Sequence, residues 1–153
     1  MTDNNKRKRH ITAGEVITVI MVVLCLAAGL ALSFLNFSEK AYISDVENSA
    51  MKAYSLMEDI NVRVEDISSL SDYPSVIKEF FPDIFEYGMS KDSITESAKN
   101  GKMKDSQYAI SGIENSASGF TFTYYKFLNE KLYEIKYTDG ILGKVEVLFK
   151  TEK

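Results

Sequence analysis

The chain contains few of the residues that build catalytic and metal sites. Among 153 residues it has one cysteine, one histidine, two prolines and no tryptophan. Because Cys25 is the sole cysteine, no internal disulfide can brace any part of the protein. Zinc sites and nucleophilic triads draw on sets of Cys and His side chains, and His10 has no such companions. We therefore predict no enzymatic activity, no catalytic residue and no cofactor.

Calcium is a metal that carboxylates and carbonyl oxygens can hold without Cys or His. Asp139 in a turn, or Asp83 together with Glu86, offers such carboxylates. Isolated acidic residues of this kind are typical of solvated turns. The sequence therefore predicts no metal site.

Charge is absent from residues 16–38, a run of 23 residues dominated by aliphatic side chains and Phe. A helix of that length is about 35 Å long, at a rise of about 1.5 Å per residue. This length is enough to cross a hydrocarbon core about 30 Å thick. We predict a transmembrane helix over residues 11–38.

The charges that flank this run predict its orientation. Residues 6–9 are four consecutive basic residues, whereas Glu39 and Lys40 are the first charges after the run. The positive-inside bias keeps the basic side in the cytoplasm. Residues 1–10 are thus predicted to be a basic cytoplasmic leader of a single-pass cell-membrane protein whose C-terminal domain is extracellular.

The predicted extracellular part is acidic. Residues 39–153 carry 14 basic and 20 acidic side chains, a net charge of −6. Nucleic-acid partners select positively charged surfaces. We predict no nucleic-acid partner.

The helix is predicted to continue over residues 39–70, where apolar residues recur at spacings of three and four and no Gly or Pro intervenes. Such a stripe serves either a coiled-coil seam between copies or the packing of a sheet. Ala50 and Ala53 are small and favour the close approach of a sheet. The stripe consists of Ile43, Val46, Ala50, Ala53, Met57, Ile60, Val64 and Ile67.

The rest of the chain predicts a connection followed by a sheet. Residues 71–106 are irregular, with a short helix before Pro82 and a polar loop over residues 90–104. Residues 107–153 contain alternating strands separated by turn signals at Asn129-Glu130 and Asp139-Gly140. The predicted fold class is α+β: a long N-terminal helix packed against a C-terminal antiparallel β-meander of three to four strands.

Thr12 and Glu15 form a local pattern at the predicted helix start. In a capping box the Thr12 side chain accepts from the backbone N–H of Glu15, and the Glu15 carboxylate accepts from the N–H of Thr12. Glu15 also places negative charge at the positive end of the helix dipole. This interpretation accounts for both residues without assigning them a function.

A basic leader followed by residues 11–15 and a long apolar helix resembles the start of type IV pilins and pseudopilins. In that family the mature chain begins with an apolar residue and carries Thr at its second and Glu at its fifth position. On this sequence those positions are Ile11, Thr12 and Glu15. The family's peptidase cuts after a Gly, whereas His10 stands here. The aromatic C-terminal strands are similar to the sheet of minor pilins.

The resemblance implies a minor pilin-like or pseudopilin-like subunit of a type IV filament that assembles through its N-terminal helix. Its implied partners are other pilin-like subunits, the membrane and a prepilin peptidase. Glu15 would then meet the α-amine of a neighbouring subunit and set the axial register. Two alternatives stay open: a single-pass membrane-anchored extracellular domain for binding, sensing or scaffolding, and a membrane-tethered coiled-coil dimer.

Processing can be tested by intact-mass measurement of the protein recovered from its native membrane. Because the family's mature chains begin at the position of Ile11, we expect the mass of residues 11–153, with or without one added methyl group. A chain that retains residues 6–9 would contradict peptidase processing.

Overall fold

The computed structural model describes residues 13–61, 68, 72 and 74–151. The chain divides into two compact units, Met1–Lys40 and Ala41–Lys153. Helix α1 (Ala13–Asn61) contributes to both units, and the second unit adds two short helices and a six-stranded sheet. The predicted α+β class is confirmed.

The first unit contains the apolar part of α1. Its large side chains are exposed on every side of the helix, from Val16 to Phe37. A helix that is apolar all round suits a hydrocarbon environment rather than a water-facing surface. Among the described residues, α1 is the one helix long and apolar enough to cross a membrane. The described part of the chain thus has one candidate membrane-spanning helix, near the N-terminus.

The second part of α1 buries one face against the sheet. Five residues of the predicted stripe are buried in one cluster with sheet residues such as Phe122 and Tyr124; they are Val46, Ala50, Ala53, Met57 and Ile60. The sheet interpretation is therefore confirmed, and this face is not free to form a coiled-coil seam. The predicted continuation over residues 39–70 is helical as far as Asn61, and Val64 and Ile67 lie outside the described residues.

The sheet is larger than the predicted meander of three to four strands. Its order is β1-β2-β3-β4-β5, with β6 also paired to β4, and all neighbours are antiparallel except β1 and β2. Strands β1 and β5 account for the difference, because their four and two residues are too few to show alternation. The strands are β1 (Ile84–Tyr87), β2 (Tyr108–Ser116), β3 (Gly119–Leu128), β4 (Lys131–Thr138), β5 (Ile141–Leu142) and β6 (Glu146–Lys150).

The predicted hairpin turns are confirmed by the backbone. Asn129 and Glu130 have φ values of 50° and 63°, and Asp139 and Gly140 have values of 47° and 86°. Positive φ at both central residues is the signature of the type I′ turn, whose twist matches that of paired strands. The polar composition of residues 114–119 predicts a turn region, but the segment is mostly strand, and the turn is confined to the two residues between β2 and β3.

Two short helices flank the sheet. Helix α2 (Pro74–Phe80) confirms the short helix predicted before Pro82, and Pro74 occupies its first position, where no backbone N–H is needed. Helix α3 (Lys91–Lys99) replaces most of the loop predicted over residues 90–104. The Ser90 side chain caps α3 by accepting from the Ser93 N–H at 3.3 Å.

Helix α3 covers the second face of the sheet. Ile94 and Ala98, four residues apart, pack with Met103, Tyr125 and Leu132 in a cluster separate from that of α1. The sheet therefore buries apolar side chains on both faces, whereas the sequence predicted one apolar face. Within the otherwise polar segment 90–104, the few apolar residues are those that become buried.

A bulge interrupts the register of strand β6. Tyr133 pairs with Val147, but its neighbour Leu132 pairs with Phe149, so one residue of β6 is extra. Phe149 consequently joins the α3 side, where its ring lies 6.4 Å from that of Phe127. Alternation over residues 144–150 predicts Val145, Val147 and Phe149 on one face, and this prediction is wrong at the bulge, because Phe149 lies on the other face.

Gly143 sits where the chain passes from β5 to β6, and its position requires glycine. Its N–H donates to the Lys136 carbonyl at 2.8 Å, and a Cβ at this residue would lie 2.7 Å from the same oxygen. Any side chain at this residue would therefore collide with the Lys136 carbonyl and push the β5–β6 connection away from β4.

We expect Phe122→Ala to lower the free energy of unfolding by about 3–5 kcal/mol, since the ring is fully buried between α1 and the sheet. Chemical denaturation of the detergent-solubilised protein, followed by far-UV circular dichroism, measures the change. Thr123→Ala, one residue along the same strand and half-buried on the other face, is the matched control. An equal loss in both variants would contradict the proposed packing.

Candidate functional site

The residues predicted to direct assembly stand at the N-terminal edge of α1. His10, Ile11 and Thr12 lie outside the described residues. Glu15 lies in the first turn of α1 by its backbone, and its side chain is likewise outside the description. Their roles stay predictions.

The acidic residues considered for calcium are dispersed in the fold. Asp139 accepts a short hydrogen bond from the Ser116 hydroxyl and thereby ties the β4–β5 turn to the end of β2. Asp83 and Glu86 flank the start of β1. Within the described part of the chain, no group of three or more Asp, Glu, His or Cys side chains is close enough to hold a metal ion.

Aromatic rings form a layer between the end of α1 and the sheet. The ring of Tyr54 stacks on those of Phe120 and Tyr137, with centroids 5.1 and 4.0 Å apart. The Tyr54 hydroxyl donates to Glu58 Oε1 at 2.5 Å, and this hydrogen bond, followed by burial, raises the pKa of Tyr54. The layer joins the second part of α1 to the sheet.

A cleft of about 480 Å³ opens in the second unit between α1, the α2–β1 connection and the start of β2. Three aromatic rings form part of its wall. Phe81 meets Tyr108 edge-on at 6.5 Å, and Tyr108 stacks on Tyr124 at 5.3 Å. This volume lies within the range of about 300–1,000 Å³ that is usual for small-molecule sites.

A buried lysine reaches this cleft from β3. The Lys126 side chain is only 10% exposed, and its Nζ donates to Asp45 Oδ2 and Ser49 Oγ on α1, both at 2.7 Å. An ammonium group has three N–H donors, so these two acceptors leave one donor for a further partner. Lys126 thus joins β3 to α1 and presents charge at the cleft.

Two tyrosine hydroxyls add hydrogen-bonding groups. Burial, together with the nearby charge of Asp83, raises the pKa of Tyr108 to about 12. Burial also raises the pKa of Tyr124, although a hydrogen bond with Ser49 acts in the opposite direction. Both phenols therefore stay protonated at neutral pH and can donate hydrogen bonds.

The remaining charges of the cleft come from three elements. Lys52 stands on α1, Asp83 follows α2, and Asp105 precedes β2. Asp105 Oδ1 accepts from the Asn129 N–H at 2.7 Å, which fixes the loop before β2 to the β3–β4 turn. Lys52 and Asp83 are exposed, and neither forms an ion pair among the described residues. The cleft combines charges of both signs with an aromatic wall.

Sequence reasoning missed this cleft, although one signal was available. Phe120, Phe122 and Tyr124 occupy alternate positions on the α1 side of β3, and Lys126 is the next position in that series. Period-two alternation therefore places Lys126 on the buried face. The contributions of Asp83 and Asp105 depend on how connecting segments fold back, which no local pattern specifies.

Comparisons with known proteins found no matching family model, no similar curated protein and no similar solved structure.

We expect Asp45→Asn to lower the free energy of unfolding by about 1–2 kcal/mol, because Lys126 loses its charged acceptor. Removing one partner of a fully buried ion pair costs about 3–5 kcal/mol. The loss expected here is smaller, because the Asp45 side chain is 51% exposed. Chemical denaturation of Asp45→Asn, Lys126→Met and the double variant measures the coupling between them.

A second ion pair provides the control for that cycle. Lys91 contacts Glu134 at 2.5 Å, but the Lys91 side chain is 52% exposed. We expect Lys91→Met to change the free energy of unfolding by less than about 1 kcal/mol. A coupling energy near zero between Asp45 and Lys126 would show that the pair does not hold α1 to the sheet.

Proposed function

We propose that the protein is a minor pilin-like or pseudopilin-like subunit of a type IV filament. The observation that carries this proposal is the construction of α1. One part of the helix is apolar on every side, and the following part buries a single stripe against a mostly antiparallel aromatic sheet. This arrangement is the one implied by the resemblance of residues 11–15 and of the C-terminal strands to pilins.

In this proposal the apolar part of α1 anchors the subunit in the cell membrane before assembly. The basic residues 6–9 keep the leader in the cytoplasm, and residues 39–153 lie outside the cell. Glu15 contacts the α-amine of a neighbour after a prepilin peptidase has released Ile11. Assembly then proceeds through the N-terminal helices of pilin-like subunits.

A second face of α1 is available for such contacts within the unit Ala41–Lys153. Opposite the buried stripe, exposed uncharged residues recur at spacings of three and four, and they include a half-exposed Met51. An uncharged helix face can pack against another helix without burying an unpaired charge. We call this the outer face of α1; it consists of Ala41, Ser44, Asn48, Met51 and Ser55.

Photo-cross-linking in native membranes tests the proposal. We expect a photoreactive phenylalanine analogue at Met51 to form adducts with the N-terminal helices of pilin-like chains, identified by mass spectrometry. The same analogue at Lys136, exposed on β4, is the matched control and should give few adducts. Glu15→Ala should abolish the Met51 adducts while membrane insertion is retained.

The outcomes separate the candidate functions. Adducts of Met51 with pilin-like chains that depend on Glu15 support the filament subunit. Adducts only with copies of the same chain, unaffected by Glu15→Ala, would indicate a membrane-tethered dimer instead. An absence of adducts at Met51 would contradict both forms of assembly through this face.

A second candidate function is a membrane-anchored extracellular binding domain. The observation that favours it is the cleft beside Lys126, which a purely structural subunit does not need. The two candidates are compatible in one chain, because the cleft and the outer face of α1 share no residue. They are tested separately.

A further inference from the structure

The cleft beside Lys126 is lined by charges of both signs. Lys52 and Lys126 supply two positive charges to its wall, and Asp83 and Asp105 supply two negative ones. Asp45 lies next to Lys126 and contributes a further negative charge. An anion alone would approach three carboxylates, and a cation alone would approach two ammonium groups. A lone ion of either sign would therefore meet like charge in the wall of the cleft.

A ligand that carries both charges meets the cleft's groups without this penalty. Its carboxylate can accept from the third N–H of Lys126 and from Lys52, and its ammonium group can donate to Asp83. The hydroxyl of Tyr108, which stays protonated because its pKa is raised to about 12, is a further donor. The charged groups come from separate elements, so they can contact opposite ends of one molecule.

The size and wall of the cleft restrict the ligand further. A volume of about 480 Å³ holds a molecule larger than a single inorganic ion. The rings of Phe81, Tyr108 and Tyr124 offer an apolar surface for a hydrocarbon or aromatic side chain. A ligand of this size with an ammonium group, a carboxylate and an apolar side chain is an amino acid or a dipeptide.

We propose that the cleft between α1, the α2–β1 connection and β2 binds a zwitterion of amino-acid to dipeptide size that carries an apolar side chain. Lys126 and Lys52 contact its carboxylate, Asp83 contacts its ammonium group, and the aromatic wall contacts its side chain. This inference rests on the binding candidate and does not depend on filament assembly.

Titration calorimetry of the full-length protein in detergent micelles tests the inference, with the dipeptide Leu-Phe as the probe. We expect saturable binding of one dipeptide per chain. Acetylation of its amine or amidation of its carboxylate should each weaken binding about tenfold, since each removes a charged hydrogen bond. No saturable binding of Leu-Phe, or equal binding of the doubly capped dipeptide, would overturn the proposal.

Variants of the cleft assign each end of the ligand. Asp83→Asn should weaken binding of the free dipeptide about tenfold and leave binding of the acetylated dipeptide unchanged. Lys52→Gln should also weaken binding of the free dipeptide about tenfold and leave binding of the amidated dipeptide unchanged. Both residues are exposed, so neither change should disturb folding. Matched controls are Asp92→Asn and Lys136→Gln, exposed charges outside the cleft.

The control variants also complete the test. Equal losses of binding in the cleft variants and in Asp92→Asn or Lys136→Gln would show a non-specific charge effect and overturn the assignment.

Photo-cross-linking at Met51 in the Asp83→Asn protein distinguishes the two proposals. Lost binding with retained adducts supports separate sites, whereas lost adducts would contradict the independence of cleft and filament contacts.

Discussion

Packing of the second part of α1 against the aromatic face of the sheet is the contact on which the remaining structure depends. The stripe from Val46 to Ile60 faces Phe122, Tyr124 and Tyr133, and these side chains form the larger apolar cluster of the protein. Ala50 and Ala53 allow the helix to approach the strands closely, while the rings fill the space beside them. Each large side chain buried here contributes about 1.5–3 kcal/mol, in a unit that no disulfide braces.

The same contact determines where polar groups can act. Because α1 lies on one face of the sheet, Lys126 on β3 must find its partners on that helix, and it does so at Asp45 and Ser49. These two hydrogen bonds hold the ammonium group in a restricted geometry. A lysine held in this way can discriminate between ligands by the position of their carboxylate, which a freely rotating surface lysine cannot do.

The main elements could be predicted from periodicity, because it reports which face of an element is buried. The charge-free run, the stripe of α1 and the turn at Asp139-Gly140 each carry such a local signal. Strand β1 and helix α3 were missed for a physical reason: β1 has four residues, and α3 buries only Ile94 and Ala98 within a polar segment. The cleft could not be predicted, since Asp83 and Asp105 reach it through tertiary folding of connections. The N-terminal motif is known from the sequence alone.

The bulge in β6 has a consequence for the order in which the protein is completed. Phe149 in this strand packs on the α3 side, whereas Val145, directly before the strand, packs on the α1 side. Neither apolar cluster is therefore complete until residues 145–149 have been synthesised, and the stripe of α1 emerges long before the strands that cover it. During that interval the nascent chain exposes two adjacent apolar segments, one suited to lipid and one to a sheet. Once the sheet forms, it covers the second segment and leaves only the first segment exposed to lipid.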